Sequence, residues 1–270
     1  MTLIICVSHQ ILQAQTSINQ TPVGIALAGC DAASARDLCL LANPGNLALA
    51  APRSATLFFE NRYALKELST KGLAFAYSGK YGSAGVVLAN FGFDVFRTSR
   101  YGLAYGRSFA NKKVSAGFQL NMHDDYQAGA GHFTTLFSNV GAIYQVSSRL
   151  LLGVHCCNPE QATVKYPGFE MALPTYFELG GNWQLFSHTR VLTEVEQYVD
   201  LPIRIGFGIE SSIDDKVFLR GGYRVTDNEF SWGMGARFGN LSADCGFAYQ
   251  MPLGLVSMAS VLWNFTPKSH

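Results

Sequence analysis

From Phe230 the even positions read Phe230, Trp232, Met234, Ala236 and Phe238, while the odd ones between them read Ser231, Gly233, Gly235, Arg237 and Gly239. After a turn at Asn240 the register restarts, with Leu241, Ala243, Cys245, Phe247 and Tyr249 on one face and Ser242, Asp244, Gly246, Ala248 and Gln250 on the other. A period of two held over about ten residues, with aromatics near the segment ends, is the pattern of strands in a transmembrane barrel. A soluble sandwich also alternates, but its outer face carries Lys, Glu and Thr rather than Gly and isolated Arg.

About fourteen segments long enough for a tilted membrane strand lie between Ser54 and Phe265. They fall near residues 54–63, 71–79, 82–92, 97–109, 113–123, 133–146, 149–157, 174–186, 189–200, 202–213, 216–226, 229–239, 241–250 and 253–265. The pattern therefore predicts an all-β chain, a transmembrane antiparallel β-barrel over 54–265 with a short tail at 266–270. An even strand count puts both ends of the barrel on one side. The two longest connections, His123 to His132 and Asn158 to Leu173, then share the opposite side, where barrels of this kind keep their longer external loops.

Parity also assigns the interior. The polar face of successive strands carries Gln119, Asn121, Asn139, Gln145, Glu178, Glu194, Glu196, Arg204, Glu210, Arg220, Arg224, Arg237 and Asp244. Both signs occur on neighbouring strands, so cross-strand ion pairs can offset desolvation, which suits a knit interior better than a single-sign ion path. Ile203, Ile205, Phe207, Ile209, Val217, Leu219, Tyr223 and Val225 fall on the outward face. Tyr223, Trp232, Tyr249, Trp263 and Phe265 are placed to form interfacial girdles.

Composition agrees: charged residues are 14%, against about 25% in an ordinary soluble domain. No run offers the roughly 20 apolar residues of a spanning helix, so the chain can cross lipid only as a closed sheet. A formal net charge of +1 supplies no field for nucleic acid. Near the start, Leu3, Ile4, Ile5, Cys6 and Val7 form an apolar stretch, and Leu12-Gln13-Ala14 offers a cleavage site; 1–15 thus reads as an export signal, though no Lys or Arg precedes it, or else as a short buried strand. Residues 16–53 are too short for their own core and carry the turn signal Asn43, Pro44, Gly45, so they are expected to fold as a periplasmic plug, the alternative being a tail without barrel contact. Cys30 and Cys39 could pair in an oxidising periplasm, whereas Cys156, Cys157 and Cys245 read as wall residues. No ligand spacing for a metal is present, and no cofactor is expected.

His123-Asp124-Asp125 and His132 fall at the external rim, where a carboxylate beside His could act as a general base, but no nucleophile accompanies them, so the chain is not expected to be an enzyme. The Asn158–Leu173 connection carries Tyr166, Phe169 and Met171. These either fold over the barrel mouth or form a docking patch.

Asn43-Pro44-Gly45 resembles the Asn-Pro-Ala element near the N-terminus of the FadL superfamily of fourteen-stranded barrels, with Gly45 in place of Ala. Val217-Phe218-Leu219-Arg220-Gly221-Gly222-Tyr223-Arg224, the run from Trp232 to Asp244, and Cys245-Gly246-Phe247-Ala248-Tyr249 look like the closing strands of its PorV/PorQ branch; Leu173-Pro174 and Glu194 fit the same pattern. The resemblance implies an integral outer-membrane protein of Bacteroidota-type bacteria, serving type IX secretion or surface attachment through protein partners. The wider superfamily implies the alternative, a channel for hydrophobic solutes with an N-terminal hatch.

Overall fold

The structure, a computed structural model, describes residues 20–34, 40–49, 53–199, 201–251 and 253–265. The export signal, Cys39 and the tail at 266–270 lie outside them. The chain opens with the short helix α1 (Pro22–Ala26) and a 3₁₀ turn (Pro44–Leu49). The strands follow: β1 Arg53–Arg62, β2 Leu65–Gly79, β3 Gly82–Gly92, β4 Phe96–Phe109, β5 Val114–Gln127, β6 Gly131–Ser147, β7 Leu150–Cys157, β8 Thr163–Tyr166, β9 Phe169–Ala172, β10 Tyr176–Phe186, β11 Thr189–Tyr198, β12 Arg204–Ile213, β13 Val217–Arg224, β14 Glu229–Phe238, β15 Leu241–Gln250 and β16 Gly254–Asn264.

Fourteen of these strands close into one antiparallel barrel, each beside its neighbour in the chain, while β8 and β9 form a separate hairpin between β7 and β10. Closure is made by β1 against β16, with Ser54 opposite Asn264 and Arg62 opposite Val256. A closed sheet leaves no unpaired edge, which is the condition for a sheet to lie in lipid. No helix among the described residues is long and apolar enough to cross a membrane.

The fourteen expected segments are the fourteen barrel strands, but their ends shift where both faces are polar. The connection expected from His123 to His132 is mostly strand: β5 runs to Gln127 and β6 starts at Gly131. His123 and Asp125 point into the lumen there, and Asp124 and Tyr126 point outward, so hydrophobic contrast vanishes although the ladder continues. For the same reason β2 begins at Leu65, earlier than its apolar run. The rim carrying this extension and the β8–β9 hairpin is called the outer rim below; the short turns and the first and last strand ends form the inner rim.

The outward face is apolar. Leu57, Phe75, Leu103, Phe207 and Trp232 all expose about half their surface or more, which costs nothing against lipid and would be untenable as a continuous belt in water. Aromatic pairs mark its borders: Tyr223 with Phe230 toward the outer rim, and Trp263 stacked on Phe265 at the inner rim.

Candidate functional site

The lumen is occupied by residues 20–34 and 40–49. Thr21 caps α1 by accepting from the Gly24 amide at 2.8 Å, and Pro22 supplies the fixed φ suited to a first helical turn. The chain then reverses through Ala28 and Gly29, both at positive φ, and in the second described piece Asn43 is buried. Backbone groups of the first piece find partners on the barrel wall. The Ala32 amide donates to Glu194 Oε2 at 2.7 Å, the Ala28 amide to Ser231 Oγ at 3.0 Å, and Arg224 Nε donates to the Ala28 carbonyl at 3.2 Å. Such pairing is required of any backbone shut away from water.

Asn43 is more than a turn residue. Its Nδ2 donates to the Ala32 carbonyl at 2.7 Å and to Val154 of β7 at 3.0 Å, while its Oδ1 accepts from the Gly45 amide at 2.8 Å. It therefore joins the two luminal pieces to each other and to the wall, with Pro44 beginning the 3₁₀ turn and the Gly45 carbonyl accepting from Ser115 Oγ. Glycines on the inner wall make room for this packing: a Cβ at Gly117 would stand 2.1 Å from the Pro44 carbonyl oxygen, and one at Gly246 would stand 2.0 Å from that of Pro22.

One side of the lumen, from β10 to β15, is charged in tiers. Below α1, Glu210 is ion-paired with Arg190 at 2.9 Å and accepts from Arg220 Nε at 2.7 Å, and Arg220 reaches Asp244 at 2.7 Å. Arg237 lies beside this tier with its guanidinium over the Phe218 ring at 5.2 Å. At the level of the plug, Glu178 meets His155 Nδ1 at 2.6 Å and Glu194 holds the plug backbone. Toward the outer rim Glu196 meets Arg204 at 3.2 Å; Arg204 also binds Asp227, and Arg224 approaches Glu229 at 3.8 Å. All nine charged residues expected inside thus face the lumen. Sequence reasoning passed over their partners His155, Arg190, Asp227 and Glu229, and also the buried Arg100 of β4, which donates to Asn121 Oδ1 at 2.9 Å. The same parity reading would have found His155 and Arg100.

The other side, β16 and β1 to β4, is apolar where it meets the plug, and toward the outer rim it carries the buried Glu60–Arg62 pair of β1 at 2.7 Å and Arg100 of β4. Phe58, Val87, Phe91, Val256 and Met258 form one buried cluster with Ile25, Leu40, Leu41 and Leu47 of the plug.

Two small cavities flank α1. One, of about 40 Å³, faces the outer rim between Asp31, Tyr176, Glu196, Tyr198 and Arg224; the other, of about 20 Å³, faces the inner rim between Thr21, Phe218, Arg237 and Asp244. Each holds a few waters at most, far below the roughly 300 Å³ of an ordinary ligand pocket. Asp31 sits between helix and wall, its carboxylate accepting from Thr21 Oγ1 at 2.8 Å. Burial pushes its pKa up to about 7, against the opposing pull of the Thr21 bonds and of Arg220. Burial likewise raises the free thiol of Cys30 well above its ordinary value, with Glu194 adding to the rise. No group of three or more His, Cys, Asp or Glu among the described residues could hold a metal ion.

At the outer rim the β8–β9 hairpin folds inward over the mouth. Tyr166 is buried, donates to Asp125 Oδ2 at 2.5 Å and packs on Phe133, and Asp125 also takes bonds from Thr98 and His123. Met171 is partly buried in the same cluster, whereas Phe169 stacks on Tyr166 with 59% of its own surface exposed. His132 is on the outer wall, paired with Asp124 at 2.9 Å and apart from the luminal His123.

A closed fourteen-stranded barrel with an apolar outer belt, filled by its own N-terminal segment, defines a class of membrane barrel. Solved structures, hydrocarbon channels among them, resemble this chain over nearly its whole length. They include the deltaS2S3 mutant of the monoaromatic hydrocarbon channel TodX (TM-score 0.72, 10% identity, 92% of this chain and 99% of that one). They also include the monoaromatic hydrocarbon channel CymD (0.69, 13%, 93% and 99%) and a FadL homologue of Pseudomonas aeruginosa (0.63, 13%, 92% and 98%). At these identities the likeness is one of fold. No family model and no curated protein matches the sequence.

Proposed function

We propose that this protein is an outer-membrane channel for small apolar molecules, held shut by residues 20–34 and 40–49. The observation that carries the reading is the apolar side of the lumen, where Phe58, Val87, Phe91, Val256 and Met258 pack with Ile25, Leu40, Leu41 and Leu47 of the plug. An apolar solute can replace those side chains without stranding a polar group, whereas on the charged half it would leave ion pairs and plug backbone bonds unmet. The fold shared with hydrocarbon channels supports this reading over secretion. The test is uptake of a labelled monoaromatic hydrocarbon by cells producing the protein, with a labelled disaccharide as comparison. Hydrocarbon uptake above the barrel-free background, with the disaccharide excluded, is expected; equal entry of both, or of neither, would remove the proposal.

A second reading, the PorV/PorQ-like adaptor of secretion or surface attachment, draws on the exposed Phe169 at the hairpin tip. Under it, Phe169→Ser lowers co-purification of a protein partner from native membranes while the barrel keeps its heat-modifiable migration. Unchanged co-purification, or none to begin with, rejects it.

A further inference from the structure

One open concavity lies outside the barrel. A groove of about 430 Å³ lies on the lipid face near the inner rim, walled by Phe75, Tyr77, Val86, Leu103 and Phe265, with Arg53 at its edge and small residues such as Ala84 and Gly85 at its floor. Its walls follow from strand register. Phe75 stands opposite Val86 and Val86 opposite Leu103, a row of large outward side chains, while the next row toward the rim sets Tyr77 opposite Ala84 and leaves a gap where Ala84 has no bulk.

Arg53 lines this gap, and two further cations, Lys80 and Arg107, stand at the same rim on the β2–β3 turn and on β4. Arg53 on β1 lies over the Tyr77 ring at 5.4 Å, Lys80 in the β2–β3 turn over Tyr81 at 4.8 Å, and Arg107 on β4 over Phe109 at 5.9 Å. None forms an ion pair among the described residues. The inner rim continues basic through Lys112, Lys113 and Arg149, and meets its first carboxylates only at Asp214 and Asp215. The outer rim differs: Lys66 faces Glu67 and Lys165 faces Glu170, so its exposed lysines are balanced.

We infer that this groove is a binding site for an anionic glycerophospholipid of the membrane leaflet at the inner rim, one acyl chain lying between Phe75, Tyr77 and Leu103 and the phosphate meeting Arg53, Lys80 and Arg107. Transfer of an acyl chain from bilayer to groove gains nothing from leaving water, because lipid tails are already apolar surroundings. Selectivity therefore comes from the headgroup, through cations placed at the leaflet surface, and from the fit of one chain into a gap no barrel side chain fills. Lipid retention is a property of the outer surface and does not depend on what, if anything, passes through the lumen.

The test is native mass spectrometry of the full-length barrel, released from nanodiscs containing equal phosphatidylglycerol and phosphatidylcholine, with heat-modifiable migration as the check of folding. Unmodified protein should keep phosphatidylglycerol in preference to phosphatidylcholine, and lose it in raised salt. Arg53→Gln, Lys80→Gln and Arg107→Gln should each weaken retention about fivefold. Ala84→Phe, which fills the groove and leaves the charges alone, should abolish the preference, while Lys112→Gln should not alter it. Equal retention of the two lipids, or retention that survives Ala84→Phe, overturns the site. So does a protein dimer that Ala84→Phe dissociates, since the occupant would then be a second copy. If a charge variant fails to fold, the salt release and the Ala84→Phe result decide alone.

Discussion

The two halves of the lumen hold the same plug by different means. From β10 to β15 the wall engages plug backbone: Glu194 takes the Ala32 amide, Ser231 the Ala28 amide, and Gly246 lets the Pro22 carbonyl touch the sheet. From β16 through β4 it mainly engages side chains, with Leu40 and Leu41 lying on Val87 and its neighbours. Directional bonds fix position, and their loss strands buried groups; apolar contacts are non-directional and can be exchanged for another apolar surface. The charged half is therefore the anchor, and the apolar half is the side from which the plug can be parted.

The glycines sharpen that contrast most. In Gly246→Ala the new Cβ meets backbone that cannot yield, so the plug should leave its seat and single-channel conductance should rise sharply in planar bilayers while the barrel stays folded. In Gly85→Ala the new Cβ meets only the tip of Leu40, 2.7 Å away, and conductance should stay near that of the unmodified protein. Equal conductance of the two variants would erase the distinction between anchor and exchangeable side.

Removal of one charge should cost more than removal of one apolar group. Arg220 has a fully buried side chain between Glu210 and Asp244, and Arg220→Ala takes the ion pair from Asp244 and leaves Glu210 to Arg190, a loss of about 3–5 kcal/mol. Leu41→Ala vacates a buried position in the apolar half and should lose about 2–4 kcal/mol, the lower end if neighbours collapse into the space. Denaturant unfolding in detergent measures both, and a larger loss for Leu41→Ala would contradict the assignment of the anchor.

Asp31 makes the plug sensitive to pH in a defined direction. Its pKa rises from an ordinary 3.8 to about 7 on burial, so the seated plug binds the proton more tightly than the released one. Its contribution is full below about pH 4 and is lost as pH rises through about 7. Proteolytic accessibility of the 20–34 segment should increase over that window, and Asp31→Asn should flatten the profile. A plug that loosens instead on acidification, with Asp31→Asn tracking the unmodified protein, would show that another group governs it. The smallest effect is expected at the mouth: Tyr166→Phe removes one hydrogen bond to an Asp125 that keeps Thr98 and His123, worth about 1 kcal/mol by unfolding.

The sequence made the charged half legible and left the other half mute, for a physical reason. On β12 to β15 one parity faces lipid and the other faces ions, so Arg204, Arg220, Arg224 and Arg237 declare the lumen by themselves. On β3, Val86 and Leu88 face lipid while Val87 and Ala89 face the lumen; both parities are apolar, and alternation reports nothing when the two surroundings are alike. Asn43-Pro44-Gly45 signals a turn in the sequence, and a 3₁₀ turn begins at Pro44. The bracket Asn43 makes between Ala32 and Val154 has no such signal, because it depends on chain positions far apart. Glycines on the polar face were visible as small residues, and only the seated plug shows what they admit.

Passage along the apolar side requires the plug to part from that wall, and a reversible tether tests whether it does. Leu40→Cys with Gly85→Cys, in a background lacking the other cysteines, places two thiols where a Gly85 Cβ would already touch the Leu40 side chain. Uptake of a labelled monoaromatic hydrocarbon should stop when this pair is oxidised and return on reduction. Undiminished uptake with the tether closed would contradict passage along the apolar half.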